Sequence, residues 1–154
     1  MNYSVFNTPI GALRAVEEDG CLVRLTHITN YIVEEIHSDL PLLKEVYRQL
    51  VEYFEGSRKV FELPLKLNVT PYRQKVLEEL IKVPFGETVS YGELAKRTGN
   101  PKASRAVGSA MRTNPIVIII PCHRVLQADG SLGNYSAGGP ANKDWLLAFE
   151  KQNR

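Results

Sequence analysis

An Asp-Gly pair near the N-terminus constrains the fold of this chain more than any other feature. Asp19-Gly20 separates two apolar stretches, residues 10–16 and 21–27. An Asp-Gly pair between two such stretches is the strongest short-range signal for a β-hairpin, because both residues tolerate the positive φ angles of a tight turn. The sequence therefore predicts a small antiparallel sheet in the N-terminal part.

Helical periodicity follows the strand pattern. After Pro41, apolar residues recur at helical spacing: Leu43, Tyr47, Leu50 and Phe54. Asp39 can cap the start of this helix, and Gly56 lies where the helix would stop. In residues 60–67, apolar side chains occupy alternate positions and Pro64 interrupts the pattern. This predicts an edge strand or an extended linker. We place a domain boundary near residue 68, with an N-terminal α/β domain over 1–68 and a second domain over 69–154.

The second domain opens with two signals for helix starts. Thr70 offers a capping hydroxyl and Pro71 suits the first helical position, while residues 84–86, Pro-Phe-Gly, end that helix. Ser90 and Glu93 have the spacing of a capping box, in which each side chain satisfies a backbone donor at a helix start. The sequence predicts a second helix from this box to about residue 98.

A tight turn, Gly-Asn-Pro at 99–101, separates that helix from another predicted from Pro101 to about Arg112. Two short helices joined by a glycine-containing turn form a helix-turn-helix unit. Small side chains leave the second helix nearly bare: Ala103, Ser104, Ala106, Gly108, Ser109 and Ala110. A bare helix can approach another surface closely.

The remaining chain contains one apolar run and one more helical pattern. Ile116 to Ile120 is continuously apolar and closed by Pro121, and we interpret it as a buried extended segment. Glycines mark a loop-rich stretch over 130–139. Residues 143–151 predict a final amphipathic helix with the apolar side chains Trp145, Leu146, Ala148 and Phe149.

The composition fits a soluble globular protein. The 154 residues are 44% hydrophobic, which is enough for one sizeable core or two small ones. No stretch approaches the ~20 apolar residues that a membrane helix needs, and the first residues lack a secretion signal. We therefore expect no membrane association and a cytoplasmic location, or a nuclear one in a eukaryote. The net charge of +2 is compatible with a local basic face but does not identify a partner.

Cys122 lies in the pattern Pro-Cys-His-Arg-Val at 121–125, at the predicted start of a short helical turn. Cys21 is the only other cysteine, and without an export signal we expect no structural disulfide. A helix N-terminus and a nearby histidine lower the pKa of a thiol, and the thiolate is the nucleophile. The pattern favours a reactive cysteine. On these residues alone, a buried structural cysteine is the alternative.

Five ordered motifs span roughly residues 70–150. They are VPFGETVSYGELA at 83–95, NPKASRAVGSAMRTNP at 100–115, IPCHRV at 120–125, GNYS at 133–136 and KDWLLAFE at 143–150. In order and spacing they resemble the O6-alkylguanine-DNA alkyltransferases, also called methylated-DNA–protein-cysteine methyltransferases. The resemblance implies an α/β (α+β) fold: a small N-terminal sheet with a helix in a ribonuclease H-like layout, then a helical domain with a winged helix-turn-helix and an active-site cysteine.

The resemblance also implies a role for each matching residue. Cys122 would accept the alkyl group, His123 would take its proton through a water, and Glu150 would orient the imidazole. Asn114 would brace this network, and Tyr91 would donate a proton to N3 of the departing guanine. The pocket for the base would be formed by Val125, Tyr135, Ser136, Lys143 and Met111.

Double-stranded DNA is the partner that the resemblance implies, bound through its minor groove. The second helix of the helix-turn-helix would enter this groove, which is only ~6 Å wide. Arg105 would fill the space that the extruded base leaves. The implied DNA contacts are Arg105, Lys102, Ala106, Gly108, Arg112 and Ser90.

The implied function is DNA repair by direct, irreversible and stoichiometric transfer of the alkyl group from O6-alkylguanine, and from O4-methylthymine, to Cys122 after base flipping. We expect a monomer, with cooperative DNA binding left open, and no cofactor. We also expect no metal site, because Cys21, His27 and His37 lack a paired spacing such as Cys-x-x-Cys.

Three other functions remain as alternatives. The first is a non-catalytic protein that binds alkylated DNA, against which the presence of Cys122 argues. The second is a winged-helix regulator, which leaves the Pro-Cys-His-Arg motif without a purpose. The third is a cysteine hydrolase, because a thiolate, a histidine and a carboxylate can also cleave an amide with repeated turnover.

Overall fold

The computed structural model of the protein describes residues 2–154. The architecture is mixed α/β, as the sequence predicts. The chain divides into two compact units, Met1–Asn68 and Val69–Arg154. Over the described residues, every helix is too short or too polar to cross a lipid bilayer.

A three-stranded antiparallel sheet forms the centre of the N-terminal unit. Its strands β1 (Asn2–Thr8), β2 (Gly11–Glu18) and β3 (Cys21–Thr29) are adjacent in chain order. The predicted hairpin joins β2 to β3, and Asp19 and Gly20 have φ angles of 53° and 78°, the left-handed values that the turn needs. The sequence does not predict β1, because its buried residues at 4–6 are consecutive rather than alternating.

One helix, α1 (Pro41–Phe54), packs against this sheet. It stops before Gly56, whose φ of 85° fits the predicted end. The prediction that Asp39 caps its start is wrong. Leu40 is the N-cap residue, without a side-chain cap, because Asp39 lies one residue too far from the first helical position.

The segment after α1 is extended, as predicted. Leu22 N donates to Pro64 O at 2.8 Å, and Lys66 N donates to Leu22 O at 3.1 Å. Pro64 fits beside the strand because only its carbonyl takes part in the pairing.

The C-terminal unit is mainly helical. It contains α2 (Pro71–Ile81), α3 (Tyr91–Arg97), α4 (Ser104–Arg112) and α5 (Pro140–Gln152). A short 3-10 helix, Cys122–Arg124, leads into β5 (Val125–Leu126), which pairs in parallel with β4 (Val89–Ser90). The helices α2, α3 and α4 pack on one another, and α3 and α4 are the two helices of the predicted helix-turn-helix.

Hydroxyl caps fix the starts of α2 and α3, as predicted. The Thr70 side chain accepts from Arg73 N at 3.3 Å, and the Ser90 side chain accepts from Glu93 N at 3.0 Å. The Glu93 carboxylate pairs with Arg97 at 3.5 Å on the same helix. The Ser90 half of the predicted capping box is therefore formed.

The second helix of this motif, α4, begins three residues later than predicted. The Asn100 side chain accepts from Lys102 N at 3.2 Å, and Asn100 O accepts from Ala103 N at 3.1 Å. These bonds close a separate turn, so Pro101 does not start the helix, and Ala103 becomes the N-cap residue of α4. Lys102 accordingly lies in the turn.

The apolar run 116–120 is buried, but the prediction that it is extended is wrong. Ile119 N donates to Val117 O at 2.8 Å, and Ile120 N donates to Ile116 O at 3.0 Å, which folds the run into a compact turn. Ile118 has a φ of 70°, in a region that β-branched residues rarely occupy. A short apolar run predicts burial without fixing the backbone conformation.

The last helix, α5, starts at Pro140, three residues before the predicted start. Its buried residues are Lys143, Leu146 and Glu150. The predicted apolar residue Trp145 is 38% exposed instead, and its ring stacks on Phe149 with centroids 5.1 Å apart. The buried face of α5 therefore carries two charged groups, which the apolar pattern does not reveal.

Candidate active site

Asn114 holds both ends of the turn that precedes Cys122. Its side chain accepts from Ile116 N at 3.0 Å and donates to Ile120 O at 2.8 Å. Because Asn114 spans the turn, it stabilises the unusual backbone of Ile118 between these two bonds. Cys122 N then donates to Ile120 O at 2.8 Å, so the cysteine follows directly from a rigidly held loop.

Cys122 is 4% exposed, yet it lines a cleft of about 1110 Å³ in the C-terminal unit. Side chains of α3, of α4 and of the loop before α5 form the walls of this cleft. Seven predicted residues lie there together with Cys122: Tyr91, Arg105, Gly108, Met111, Arg112, Tyr135 and Ser136.

Next to Cys122 in the chain, His123 is fully buried and bonded to Glu150 on α5. The two atoms His123 Nε2 and Glu150 Oε2 are 2.7 Å apart. An ionised carboxylate can only accept, so in the neutral imidazole the proton resides on Nε2 and leaves Nδ1 as an acceptor. His123 Nδ1 is buried and has no protein hydrogen-bond partner among the described residues. The imidazole therefore retains one nitrogen that can receive a proton.

Arg124 is the third member of this buried group, and the sequence analysis gives it no role. Its Nε donates to Glu150 Oε1 at 2.8 Å, and its Nη2 donates to Glu150 Oε2 at 3.0 Å. Its Nη1 donates to Val83 O at 2.7 Å, in the turn where Gly86 N also donates to Glu150 Oε1 at 3.1 Å. Glu150 is thus fixed from the cysteine segment and from the turn after α2.

The protonation states follow from burial. Burial raises the pKa of the Cys122 thiol, against the opposing effects of the Asn114 side chain and the Lys143 charge. Burial also lowers the pKa of His123, although Glu150 favours the imidazolium. The expected lowering of the thiol pKa by a helix start and a histidine is therefore wrong. Thiol and imidazole are both neutral at rest, because the buried site penalises each charged form.

Glu150 remains ionised in the same surroundings. Burial opposes its charge, but the hydrogen bonds from His123 and Arg124 and the charge of Arg124 outweigh burial and hold its pKa well below the usual range. A carboxylate with that many donors is a fixed negative charge.

Two tyrosines face the cysteine. Tyr91 is half-buried, and burial, followed by the proximity of Cys122, raises its pKa. Burial raises the pKa of Tyr135 well above its usual value, and its hydroxyl has no hydrogen-bond partner among the described side chains and backbone. Both phenols are therefore protonated and able to donate.

Lys143, a predicted pocket residue, is fully buried. Its ammonium donates to Leu132 O at 2.6 Å and is 3.4 Å from Asn134 O, so it fixes the loop that carries Tyr135. Burial lowers the pKa of Lys143, and ionisation of the nearby Cys122 would oppose that shift.

The other predicted contacts differ in their location. Val125 is fully buried in β5 and is not part of the cleft wall, and the Ser90 hydroxyl is occupied by its cap bond. Lys102 and Ala106 are exposed and lie outside the cleft lining. These positions leave Lys102 and Ala106 accessible to a large ligand on the surface beside the cleft.

Sequence reasoning missed several lining residues and one cation near α4. The missed lining residues lie on helices and in loops: Gly92 on α3, Ser104 on α4, Pro140 at the start of α5, and the loop residues Gln127, Ala128, Asn134 and Gly139. Arg73 on α2 donates to the Ser109 hydroxyl of α4 at 2.8 Å. No sequence pattern connects Arg73 or residues 127–128 with Cys122, whereas Asn134 lies in the GNYS motif. Arg124 belongs to the Pro-Cys-His-Arg motif, and this position next to His123 was the signal for it.

Within residues 2–154, three or more histidine, cysteine or acidic side chains do not gather in a way that could hold a metal ion. Cys21, a free thiol at the start of β3, is partly buried.

Comparison with known proteins connects this site with one family. The family model described as "6-O-methylguanine DNA methyltransferase, DNA binding domain" matches residues 71–152, and the corresponding ribonuclease-like domain matches residues 1–67. The constitutive methylated-DNA–protein-cysteine methyltransferase of Bacillus subtilis is 38% identical, with 97% of this chain and 94% of that protein covered. The enzyme of that name from Methanosarcina acetivorans is 41% identical, with 97% and 98% covered.

A crystal structure supports the same relationship. Mycobacterium tuberculosis OGT in complex with DNA has a TM-score of 0.84 to this chain at 38% identity, covering 97% of this chain and 92% of that one. The chain belongs to the 6-O-methylguanine DNA methyltransferase family.

Proposed function

We propose that this protein repairs DNA by transferring the alkyl group of O6-alkylguanine to its own Cys122. The observation that carries the proposal is the position of this sulfur: Cys122 lines a cleft, immediately before a buried histidine–glutamate pair. The names of the relatives, which are methylated-DNA–protein-cysteine methyltransferases, support the same reaction.

The transfer is a displacement at the alkyl carbon. The Cys122 sulfur forms a bond to this carbon, the bond from the carbon to O6 breaks, and the electron pair of that bond goes to the purine. The thiol proton passes to His123, whose Nδ1 is an acceptor, and Glu150 stabilises the resulting imidazolium. Water can relay this proton, because proton transfer through one water satisfies the same geometry.

Tyr91 supplies the second proton in this mechanism. Negative charge develops on the guanine as O6 loses the alkyl group, and a donor at that place lowers the barrier. Tyr91 is protonated because burial raises its pKa, and it shares the cleft with Cys122. Its proton goes to N3 of the guanine, so the base departs as a neutral molecule.

The base reaches the cleft by leaving the DNA stack. The alkyl carbon is inaccessible inside a duplex, and enzymes that act on a base extrude it. Arg105 and Arg112 on α4 line the same cleft as Cys122, and Gly108 between them lacks a side chain that would hold DNA away. We infer that α4 enters the minor groove and that Arg105 replaces the extruded base.

The reaction ends with the protein alkylated. The product is a thioether, which lacks a good leaving group, so each molecule acts once. One chain contains every group in this mechanism, so a monomer suffices. An O4-alkyl group on thymine is chemically equivalent, and we include O4-methylthymine among the substrates.

Mass spectrometry after incubation with duplex DNA that contains O6-methylguanine tests this function. The proposal expects a gain of one methyl group per chain, mapped by proteolysis to the peptide with Cys122 and not to that with Cys21. An unchanged protein mass together with tight binding to the lesion would establish a non-catalytic lesion-binding protein instead. Repeated turnover without a mass change would indicate a hydrolase.

A further inference from the structure

The mechanism just proposed uses Cys122, His123, Glu150 and Tyr91 but leaves Arg124 without a task. Arg124 is only 6% exposed and makes three hydrogen bonds, two to Glu150 and one to Val83 O. Its guanidinium also lies 5.8 Å from the centre of the Phe85 ring. Burying an arginine is costly, and the cost is offset here only by these specific partners. A buried arginine with these hydrogen bonds, next to the reacting histidine, requires an explanation.

The two hydrogen bonds from Arg124 to Glu150 constrain the carboxylate in its plane. A planar guanidinium that donates twice fixes both the direction and the distance of a carboxylate. Glu150 Oε2 receives both Arg124 Nη2 at 3.0 Å and His123 Nε2 at 2.7 Å. The orientation of the imidazole is therefore set by an oxygen that Arg124 holds.

We propose that Arg124 is a positioning residue for alkyl transfer: it fixes Glu150 and offsets its charge, so that the resting His123 is a neutral base with a free Nδ1. The inference rests on the proposed function, since it assigns a task within that reaction. Arg124 acts through Glu150 and does not touch the substrate.

The charges around His123 determine the sign of the effect. Glu150 on α5 favours the imidazolium, whereas Arg124 and Lys143 disfavour it. The Cys122 thiol precedes it in the chain, and the Tyr135 ring packs edge-on with centroids 6.4 Å apart. Removing the Arg124 charge leaves Glu150 less compensated, so protonated His123 becomes more favourable. A protonated imidazole cannot accept the thiol proton, so His123 would act as a base only at a higher pH than in wild type.

The test is the pH dependence of alkyl transfer from free O6-benzylguanine, which needs no base extrusion. Wild type is compared with Arg124→Met, which removes charge and hydrogen bonds, and with Arg124→Lys, which keeps the charge. Arg58→Met is the matched control, because Arg58 Nε donates to Glu52 at 2.7 Å and Nη1 donates to Val60 O at 2.8 Å in the N-terminal unit. Arg58 thus also donates to a carboxylate and to a backbone carbonyl, but with one carboxylate bond instead of two and without a histidine.

We expect the acidic limb of the rate profile to move to higher pH by about one unit in Arg124→Met, which makes the rate on that limb, near pH ~6, about tenfold lower than in wild type. Arg124→Lys is expected to keep the limb near its wild-type position and to lower the rate at all pH values, because one ammonium cannot hold both carboxylate oxygens. Arg58→Met should retain the wild-type profile.

A direct titration separates this inference from the proposed function. Nitrogen NMR of the imidazole of His123 reports its protonation whether or not transfer occurs, and Arg124→Gln, which also removes the charge, serves if Arg124→Met does not fold. An unchanged His123 titration and an unchanged acidic limb in the charge-removing variant would overturn the inference while wild type still transfers. Failure of wild type itself to accept a benzyl or methyl group would instead overturn the proposed function.

Discussion

The two units of this chain bury different kinds of side chain. In the N-terminal unit the buried polar residues are uncharged, Ser4 and Gln49, and the ion pairs among its described residues lie near the surface. The C-terminal unit buries ionisable side chains: His123, Arg124, Lys143 and Glu150. Burying charge is unfavourable unless every group is paired. The C-terminal unit therefore carries a cost of buried charge that the N-terminal unit does not, and its buried charges lie next to Cys122.

The largest expected difference between the units appears when the cysteine of each unit is replaced by alanine. Cys122→Ala is expected to remove alkyl transfer completely, because no other group in the cleft offers a thiol, while binding to DNA persists. Cys21→Ala, in the N-terminal unit, should transfer at the wild-type rate. A radioactive methyl-transfer assay measures both variants. Residual transfer by Cys122→Ala would contradict the assignment of the acceptor.

A buried glutamate in the C-terminal unit and a partly exposed glutamate in the N-terminal unit test how much each ion pair contributes to the free energy of unfolding. Glu150→Gln leaves Arg124 without its counter-charge and should reduce the free energy of unfolding by about 3–5 kcal/mol, the usual cost of breaking a buried pair. Glu52→Gln removes the partner of the partly exposed Arg48 and Arg58 and should cost less than about 1 kcal/mol. Urea unfolding of both variants gives the comparison. Equal losses would show that burial of charge does not distinguish the units.

Two tyrosines of the C-terminal unit can be compared, Tyr91 in the cleft lining and Tyr72 outside it. Loss of the phenolic proton should slow transfer from free O6-benzylguanine by about 10²-fold, the effect of removing one donor at a developing charge. The control is Tyr72→Phe, whose hydroxyl bonds to the Thr98 hydroxyl at 3.0 Å outside the cleft lining. That variant is expected to react at the wild-type rate in the same single-turnover assay. A normal rate for Tyr91→Phe would remove this tyrosine from the mechanism.

The smallest predicted effect concerns Arg105 and depends on the substrate. Arg105→Ala should slow repair of duplex DNA by about tenfold or more, equivalent to about 1.4 kcal/mol, because extrusion of the base costs a few kcal/mol. Its reaction with free O6-benzylguanine should be unchanged, since a free base needs no extrusion. The ratio of the two rates is the measurement. Equal losses on both substrates would argue against a role in base extrusion.

Local patterns predicted much of the fold. The turn at Asp19-Gly20 and the end of α1 near Gly56 were correct, because each depends on backbone angles that few residue types adopt. The caps of α2 and α3 at Thr70 and Ser90 were correct for a similar reason, since a side-chain hydroxyl beside a helix start acts over a few residues. Strand β1 was missed because its buried residues at 4–6 are consecutive rather than alternating, so it lacks the pattern that predicts a strand.

The positions of the site residues were harder to predict. The motif resemblance identified Cys122, and the cleft contains Tyr91, Arg105 and Tyr135 with it. The predicted lowering of the Cys122 thiol pKa was wrong. The local pattern indicates a low pKa, whereas burial by segments distant in the sequence raises it. The contact of Arg124 with Glu150 was missed because the resemblance assigned Glu150 to His123 alone, and no local pattern shows that one carboxylate binds both side chains.

The sequence by itself determined most of the helices, the hairpin of β2 and β3 and the resemblance to a family, because each of these depends on patterns of residues close together in the chain. Only the tertiary structure decided which charges are buried and how they pair. It joined Glu150 on α5 to His123 and Arg124, and it folded residues 116–120 into a strained turn. Burial and pairing depend on solvent exclusion by segments that are remote in sequence, and therefore a linear pattern cannot reveal them.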